Sequence, residues 1–112
     1  MANGRYELKK SSNGQYHFVL KTSNGEIILS SERYASKASA ENGIVSVQTN
    51  SPLKTQFEIK ISNDNKPYFV LKAKNQQVIG TSPLYSSQRA AQDALESAVM
   101  HGPSSEVYDL SI

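Results

Sequence analysis

Cysteine is absent from this sequence, which removes disulfides, thiolate nucleophiles and every cysteine-based metal site together. Histidine occurs only at His17 and His101, in unrelated surroundings, so the short-spaced His or Cys pairs that zinc requires are missing. No Asp/Asn series resembles a calcium loop. No G-x-G-x-x-G, P-loop or G-x-S-x-G occurs, which leaves nucleotide binding and the common hydrolase mechanisms without an anchor. A lone histidine in a strand is ordinarily a half-exposed surface residue. We therefore expect no catalytic residue, no metal and no cofactor: a non-enzyme. No window approaches the roughly 18 apolar residues of a membrane span, and "MANGRYELKK" lacks the apolar run of a signal peptide. The expectation is a soluble cytoplasmic protein with no membrane association. Tryptophan is absent too and mean hydropathy is −0.50, pointing to a small core under much polar surface.

One sign of charge is barely in excess. Twelve Lys and Arg stand against ten Asp and Glu, a net charge of +2. A dedicated nucleic-acid binder gathers its basic residues into a patch or arm, whereas here lysines alternate with Glu, Ser and Asn, the pattern of a solvated surface. The 112 residues suffice for one domain of modest core.

What is present is a duplication. The tetrapeptide FVLK stands at residues 18–21 and again at 69–72, and a shift of 51 residues lays Tyr6–Pro52 on Phe57–Pro103 without a gap. Matched pairs include Glu7 with Glu58, Lys9 with Lys60, Ile28 with Ile79, Tyr34 with Tyr85 and Ala40 with Ala91. A repeat of this length is one supersecondary unit that buries its apolar face only against its twin.

Within the unit, Tyr6 and Leu8 alternate with Glu7 and Lys9, and Tyr16, Phe18 and Leu20 with His17, Val19 and Lys21, the period of two that defines half-buried strands. Asn13-Gly14 between them predicts a type I′ hairpin, and Asn24-Gly25 leads to a third strand near residues 26–30. In the second copy Asn65 replaces Gly14 and Gln76 replaces Gly25, which predicts longer or bulged turns there; Pro67 in place of Tyr16 suits a strand start or unpaired edge. Ala40, Ile44 and Val47, then Ala91, Leu95 and Val99, recur at helical spacing. Ser36 stands at an N-cap, and His101-Gly102-Pro103 ends the second helix in the usual manner. "EVYDLSI" reads as one more strand. The fold expected is α+β: two tandem β(3)-α repeats, about 5–52 and 56–103, and a C-terminal strand at about 105–112, in one antiparallel sheet with two helices packed on one face.

The stretch "YELKKSSNGQYHFVLKTSNGEIILSSERYASKASAENGIVSV" and its weaker copy resemble the YegP-like family, small bacterial proteins built from one or two copies of a domain of unknown function. The resemblance covers nearly the whole chain. It implies tandem β(3)-α units in a single sheet, a C-terminal strand exchanged between repeats, and a pseudo-twofold monomer where one-copy members would pair as dimers. It implies no activity. Departures at Pro67, Asn65, Gln76 and Ala94 (opposite Gly43) all fall in the second copy.

Two candidate surfaces emerge. On the outer sheet face, Lys9, His17 and Lys21 match Lys60, Tyr68 and Lys72; basic residues around an aromatic on a sheet bind single-stranded RNA in several modules, while lysine on exposed strands is also ordinary anti-aggregation chemistry. At the strand-to-helix corner, Tyr34 and Ser36 recur as Tyr85 and Ser87. Such a corner offers a helix N-terminus to a phosphate or carboxylate; in the plainer reading the serine caps the helix and the tyrosine packs on its first turn. The leading expectation is a non-enzymatic interaction or accessory module with a protein partner. The alternative is weak, largely non-specific nucleic-acid binding through the exposed sheet face.

Overall fold

A computed structural model describes residues 4–111. The elements are β1 (Arg5–Lys10), β2 (Tyr16–Lys21), β3 (Ile27–Ser30), α1 (Lys37–Asn50), a 3-10 turn (Lys54–Gln56), β4 (Phe57–Ile61), β5 (Pro67–Lys72), β6 (Val78–Thr81), α2 (Gln88–His101) and β7 (Val107–Asp109). All seven strands join one sheet in the order β4-β5-β6-β3-β2-β1-β7. The two meanders meet at its centre, where Ser30 faces Thr81, and a pseudo-twofold axis relates the halves. Tyr6, Leu8, Phe18, Leu20, Phe69 and Leu71 turn one face of the sheet toward Ala40, Ile44, Val47, Leu95 and Ala98 of the helices, forming a single buried cluster. FVLK is written twice because neither half-sheet covers its own apolar face.

The sheet is mixed rather than wholly antiparallel. β7 runs parallel to β1, with Tyr6 opposite Val107, Glu7 opposite Tyr108 and Leu8 opposite Asp109. A hairpin forces antiparallel pairing, but β7 is reached from α2 by a crossover, which permits the same direction as β1. It follows the second unit's helix yet lies beside the first unit's strand, the exchange that the resemblance implied. Ile112, included in the expected strand, lies outside the described residues.

The turns differ from expectation in two ways. At residues 11–15, Ser11 N–H donates to the Gln15 carbonyl and Gly14 N–H to the Ser11 carbonyl, with positive φ at Gly14 (84°) and not at Asn13. This is a three-residue loop, a type I turn followed by a left-handed residue, instead of type I′. Thr22–Glu26 repeats it. In the second copy the loops are the same length: Asn65 (φ 62°) and Gln76 (φ 71°) adopt the left-handed conformation themselves, so the turns are neither longer nor more bulged. The hydrogen-bond pattern dominates the cost of a Cβ there, about 1–2 kcal/mol. Asn tolerates this region better than Gln. Gln76→Gly should therefore raise stability by about 0.5–1 kcal/mol after the added entropy of the unfolded chain is subtracted, read as a higher urea midpoint; an unchanged or lower midpoint would mean that Gln76 is unstrained. Pro67 opens β5, where its missing N–H removes one bond: Tyr16 and Tyr34 exchange two backbone bonds, whereas Tyr85 and Pro67 share only one.

Ser36 and Ser87 cap the helices, their hydroxyls accepting from Ser39 N–H and Ala90 N–H at 3.1 Å. Gly102 ends α2 with right-handed backbone (φ −57°), so the usual left-handed role of a C-terminal glycine is not its reason. A Cβ at Gly102 would collide with Ser51, its counterpart at the end of α1; the two helix ends meet at the pseudo-twofold axis.

Candidate binding faces

Strand alternation sends Lys9, His17, Lys21, Lys60, Tyr68 and Lys72 to the face opposite the helices. Their register confirms it: Lys9 pairs with His17 and Lys60 with Tyr68, while Leu8 with Phe18 and Ile59 with Phe69 fall on the other parity. The two groups lie on β1-β2 and β4-β5, separated by β3 and β6. At about 4.8 Å per strand, β2 and β5 are roughly 14 Å apart. Arg5, opposite Lys21, and Tyr108, opposite Glu7, share this face. Neither stood out in the sequence, because Arg5 precedes the matched repeat and Tyr108 acquires its direction only from the parallel register of β7.

Five cations on these strands, Arg5, Lys9, Lys21, Lys60 and Lys72, stand against two acids, Glu7 and Glu58, a local surplus of three. Glu7 is buried (7% exposed) among Lys21 at 3.0 Å, Arg5 at 3.2 Å and Lys9 at 3.8 Å. The hydrogen bond from Lys21 holds its carboxyl below the ordinary range, with help from Arg5 and against the opposing effect of burial. Glu58 meets Lys72 at 2.6 Å but stays exposed, because among the described residues no strand lies outside β4. Val19 and Val70 are buried between these charges.

His17 adds little charge. Burial, and then the nearby Arg33 and Lys9, depress its pKa below 6.5, and its buried Nδ1 has no partner among the described residues. The unfolded chain takes up this proton near pH 6.5 and the folded chain only at lower pH. The stability that neutral His17 supports is therefore complete above pH 6.5 and is lost as pH falls through the window just beneath it. His17→Gln should flatten the urea-midpoint profile between about pH 7 and pH 5; a profile as steep as before would place the pH dependence elsewhere.

At the corners, Tyr34 lies parallel over Phe18 (centroids 6.3 Å, 10°) and Tyr85 over Phe69 (6.3 Å, 3°). Burial raises the pKa of both phenols, and Glu32 and Glu26 raise them further. Beside each tyrosine is a shallow groove carrying carboxylates: Glu26 and Asp93 near Tyr85, Glu32 near Tyr34. The serine oxygens face the first helical N–H groups and the adjoining acids repel an anion, so the arrangement suits capping and packing. Tyr34 with Ser36 and Tyr85 with Ser87 therefore stand apart from the basic face. Among the described residues no three metal-ligand side chains gather, and no helix is long and apolar enough to cross a membrane.

A model of the family described as Domain of unknown function (DUF1508) matches residues 11–58 and again 62–109. The chain belongs to this family. It is 62% identical to the UPF0339 protein YegP of Yersinia pestis over the full length of both chains, and 52% identical to a UPF0339 protein of Photorhabdus laumondii, covering 99% and 97% of the two. The solution structure of a UPF0339 protein from Shewanella oneidensis superimposes with a TM-score of 0.92 at 50% identity, covering 97% of this chain and 92% of that one. The solution structure of YegP from E. coli, described as a protein of unknown function, does so at 0.93 and 45%, covering 99% and 96%. The YegP-like resemblance is thus confirmed, and the two DUF1508 matches are displaced by the same 51 residues as the internal repeat. Each begins after the position of β1 and ends within or at the strand that follows the helix.

Proposed function

We propose that this DUF1508 protein is a non-enzymatic binding module of the cytoplasm, a single domain and monomer whose two units complete one another. Its binding surface is the helix-free face, and its ligand is an extended polyanion such as a single-stranded nucleic acid. The observation that carries this reading is the surplus of three cations on β1-β2 and β4-β5 of one open face, with Glu7 and Glu58 held in ion pairs and the Tyr68 and Tyr108 rings beside them, the Tyr108 hydroxyl donating to Glu106. Phosphate contact supplies such affinity and makes it salt-dependent. With about three phosphates neutralised, a fourfold rise in salt should weaken binding roughly 20-fold. Amide shifts on labelled protein titrated with short single-stranded RNA and DNA test this. Shifts at Lys9, His17–Lys21 and Tyr68–Lys72 that fade with salt support it; a silent spectrum, or shifts at the Tyr34 and Tyr85 corners, would remove it.

A second reading, binding of a protein strand, rests on the open edge of β4, where Ile59 and Ile61 are exposed. The edge is short, since the 3-10 turn occupies Phe57 N–H through the Lys54 carbonyl. An extended peptide there would pair with Ile59 and Ile61 and shift β4 alone.

A further inference from the structure

We propose that the slot beside β2 is a strand-acceptor site with two ligands in the same chain: β1, which fills it, and β7, which fits it and waits one strand outside. The repeat does not stop at two copies. A further step of 51 residues sets Tyr108 with Phe57 and Tyr6, Asp109 with Glu58 and Glu7, and Leu110 with Ile59 and Leu8. The family matches make the same division, since each unit starts after β1 and includes the strand behind its helix. β7 is therefore to α2 what β4 is to α1.

β4 shows where such a strand belongs. It follows α1 but pairs antiparallel with β5 of the other unit, Phe57 opposite Leu71, Glu58 opposite Val70 and Ile59 opposite Phe69. The pseudo-twofold relation sets Tyr108 opposite Leu20, Asp109 opposite Val19 and Leu110 opposite Phe18. Those are the partners now held by Tyr6, Glu7 and Leu8. β1 has the slot, so β7 lies beside it in the same direction, one residue out of the repeat's phase. That slip reverses its faces, leaving Tyr108 and Leu110 exposed at 49% and 56% while Tyr6 and Leu8 are buried.

The exchange requires little travel. Ser104 Oγ donates to the Gly4 carbonyl and Tyr6 N–H to the Glu106 carbonyl, so the two segments enter side by side, about one strand spacing apart. In the slot, Asp109 would leave Lys37 for Lys21, which now holds Glu7, repeating the Glu58–Lys72 pair of the other unit. Tyr108 and Leu110 would supply the same side-chain types that Tyr6 and Leu8 give to the core.

The test uses the full labelled chain with Tyr6→Asp and Leu8→Asp, which set charges where β1 must be buried and so expel it. The expected result is a folded protein in which Tyr108 shows ring NOEs to Leu20 and Phe18, amide protection appears at Asp109, which takes the place of Glu7 opposite Val19, and protection is lost at positions 6–8 and at Leu110, whose N–H donates to the Leu8 carbonyl while β1 is in place. A folded protein with Tyr108 still on the helix-free face would overturn the proposal. Should this variant unfold, adding Asp109→Glu and Ser111→Lys, which make β7 match β1 more closely, must restore the fold with those NOEs; an unfolded second variant also overturns it.

Discussion

Alanine at Phe18 should cost about 3–5 kcal/mol, the usual range for deleting a fully buried ring, and alanine at Phe69 should cost the same within roughly 1 kcal/mol. Both side chains are shielded from solvent, at 1% and 0% exposure. Each sits between two rings: Tyr6 edge-on at 6.0 Å and Tyr34 stacked for Phe18, Phe57 edge-on at 5.7 Å and Tyr85 stacked for Phe69. Such pairs add about 0.5–1.5 kcal/mol beyond area, so the loss belongs at the upper part of the range. Equal cost at the two sites follows only if the halves unfold together. The strands alone couple them weakly, since β3 and β6 share one register pair; the helices couple them strongly, because α1 packs on β2 but also on β5 and β6, while α2 packs on β5 and β3. Urea unfolding followed by tyrosine fluorescence and far-UV dichroism should therefore give one coincident transition in the parent and both variants. Two transitions, with Phe18→Ala moving only one, would show that the units fold independently and that the shared core contributes little.

The elements legible in the sequence are those set by period. Alternation in YELKK and QYHFVLK, helical spacing of Ala40, Ile44 and Val47, and serines at the N-caps each act within a few residues, and the repeat then fixed how the units combine. The outer face was legible for the same reason, since one strand's alternation determines which of Lys9, His17 and Lys21 share a side. Features governed by distant contacts were not. The direction of β7 depends on which strand it meets; Tyr108 therefore could not be placed on the basic face. Asn65 and Gln76 looked like departures from a glycine turn, yet the loop's own hydrogen bonds hold them at positive φ. The burial of Glu7 against the exposure of its twin Glu58 arises because β7 covers one sheet edge while, among the described residues, no strand covers the other. Gly102 ends α2 as its place in His101-Gly102-Pro103 predicts, but its contact with Ser51, its own symmetry mate, depends on how the two helices meet.

That meeting gives the second large effect. Gly102→Ala should destabilise the fold by about 2–3 kcal/mol, the upper part of the range for forcing extra atoms into a packed core. The backbone there is ordinary helix, so alanine loses nothing by conformation and would gain helix propensity; the penalty is purely steric. Its methyl would overlap Ser51 Oγ and Cβ and crowd the Ala98 carbonyl at 2.9 Å. Neither side can retreat, because Ser51 is fully buried and the Gly102 carbonyl is held by the Tyr6 hydroxyl at 2.6 Å. Ser51 and Gly102 occupy equivalent positions beside the pseudo-twofold axis, and that axis has room for one side chain. Which copy carries it should matter little. Ser51→Gly with Gly102→Ser should therefore recover to within about 1 kcal/mol of the parent, giving a coupling between the two positions at the high end of the 0.5–3 kcal/mol seen for contacting residues. The buried Ser51 hydroxyl has no hydrogen-bond partner among the described residues, so removing it strands no other group and leaves the steric term isolated. Additive behaviour of the two substitutions in urea unfolding would mean that each helix end is constrained by its own surroundings and that the contact on the axis is incidental.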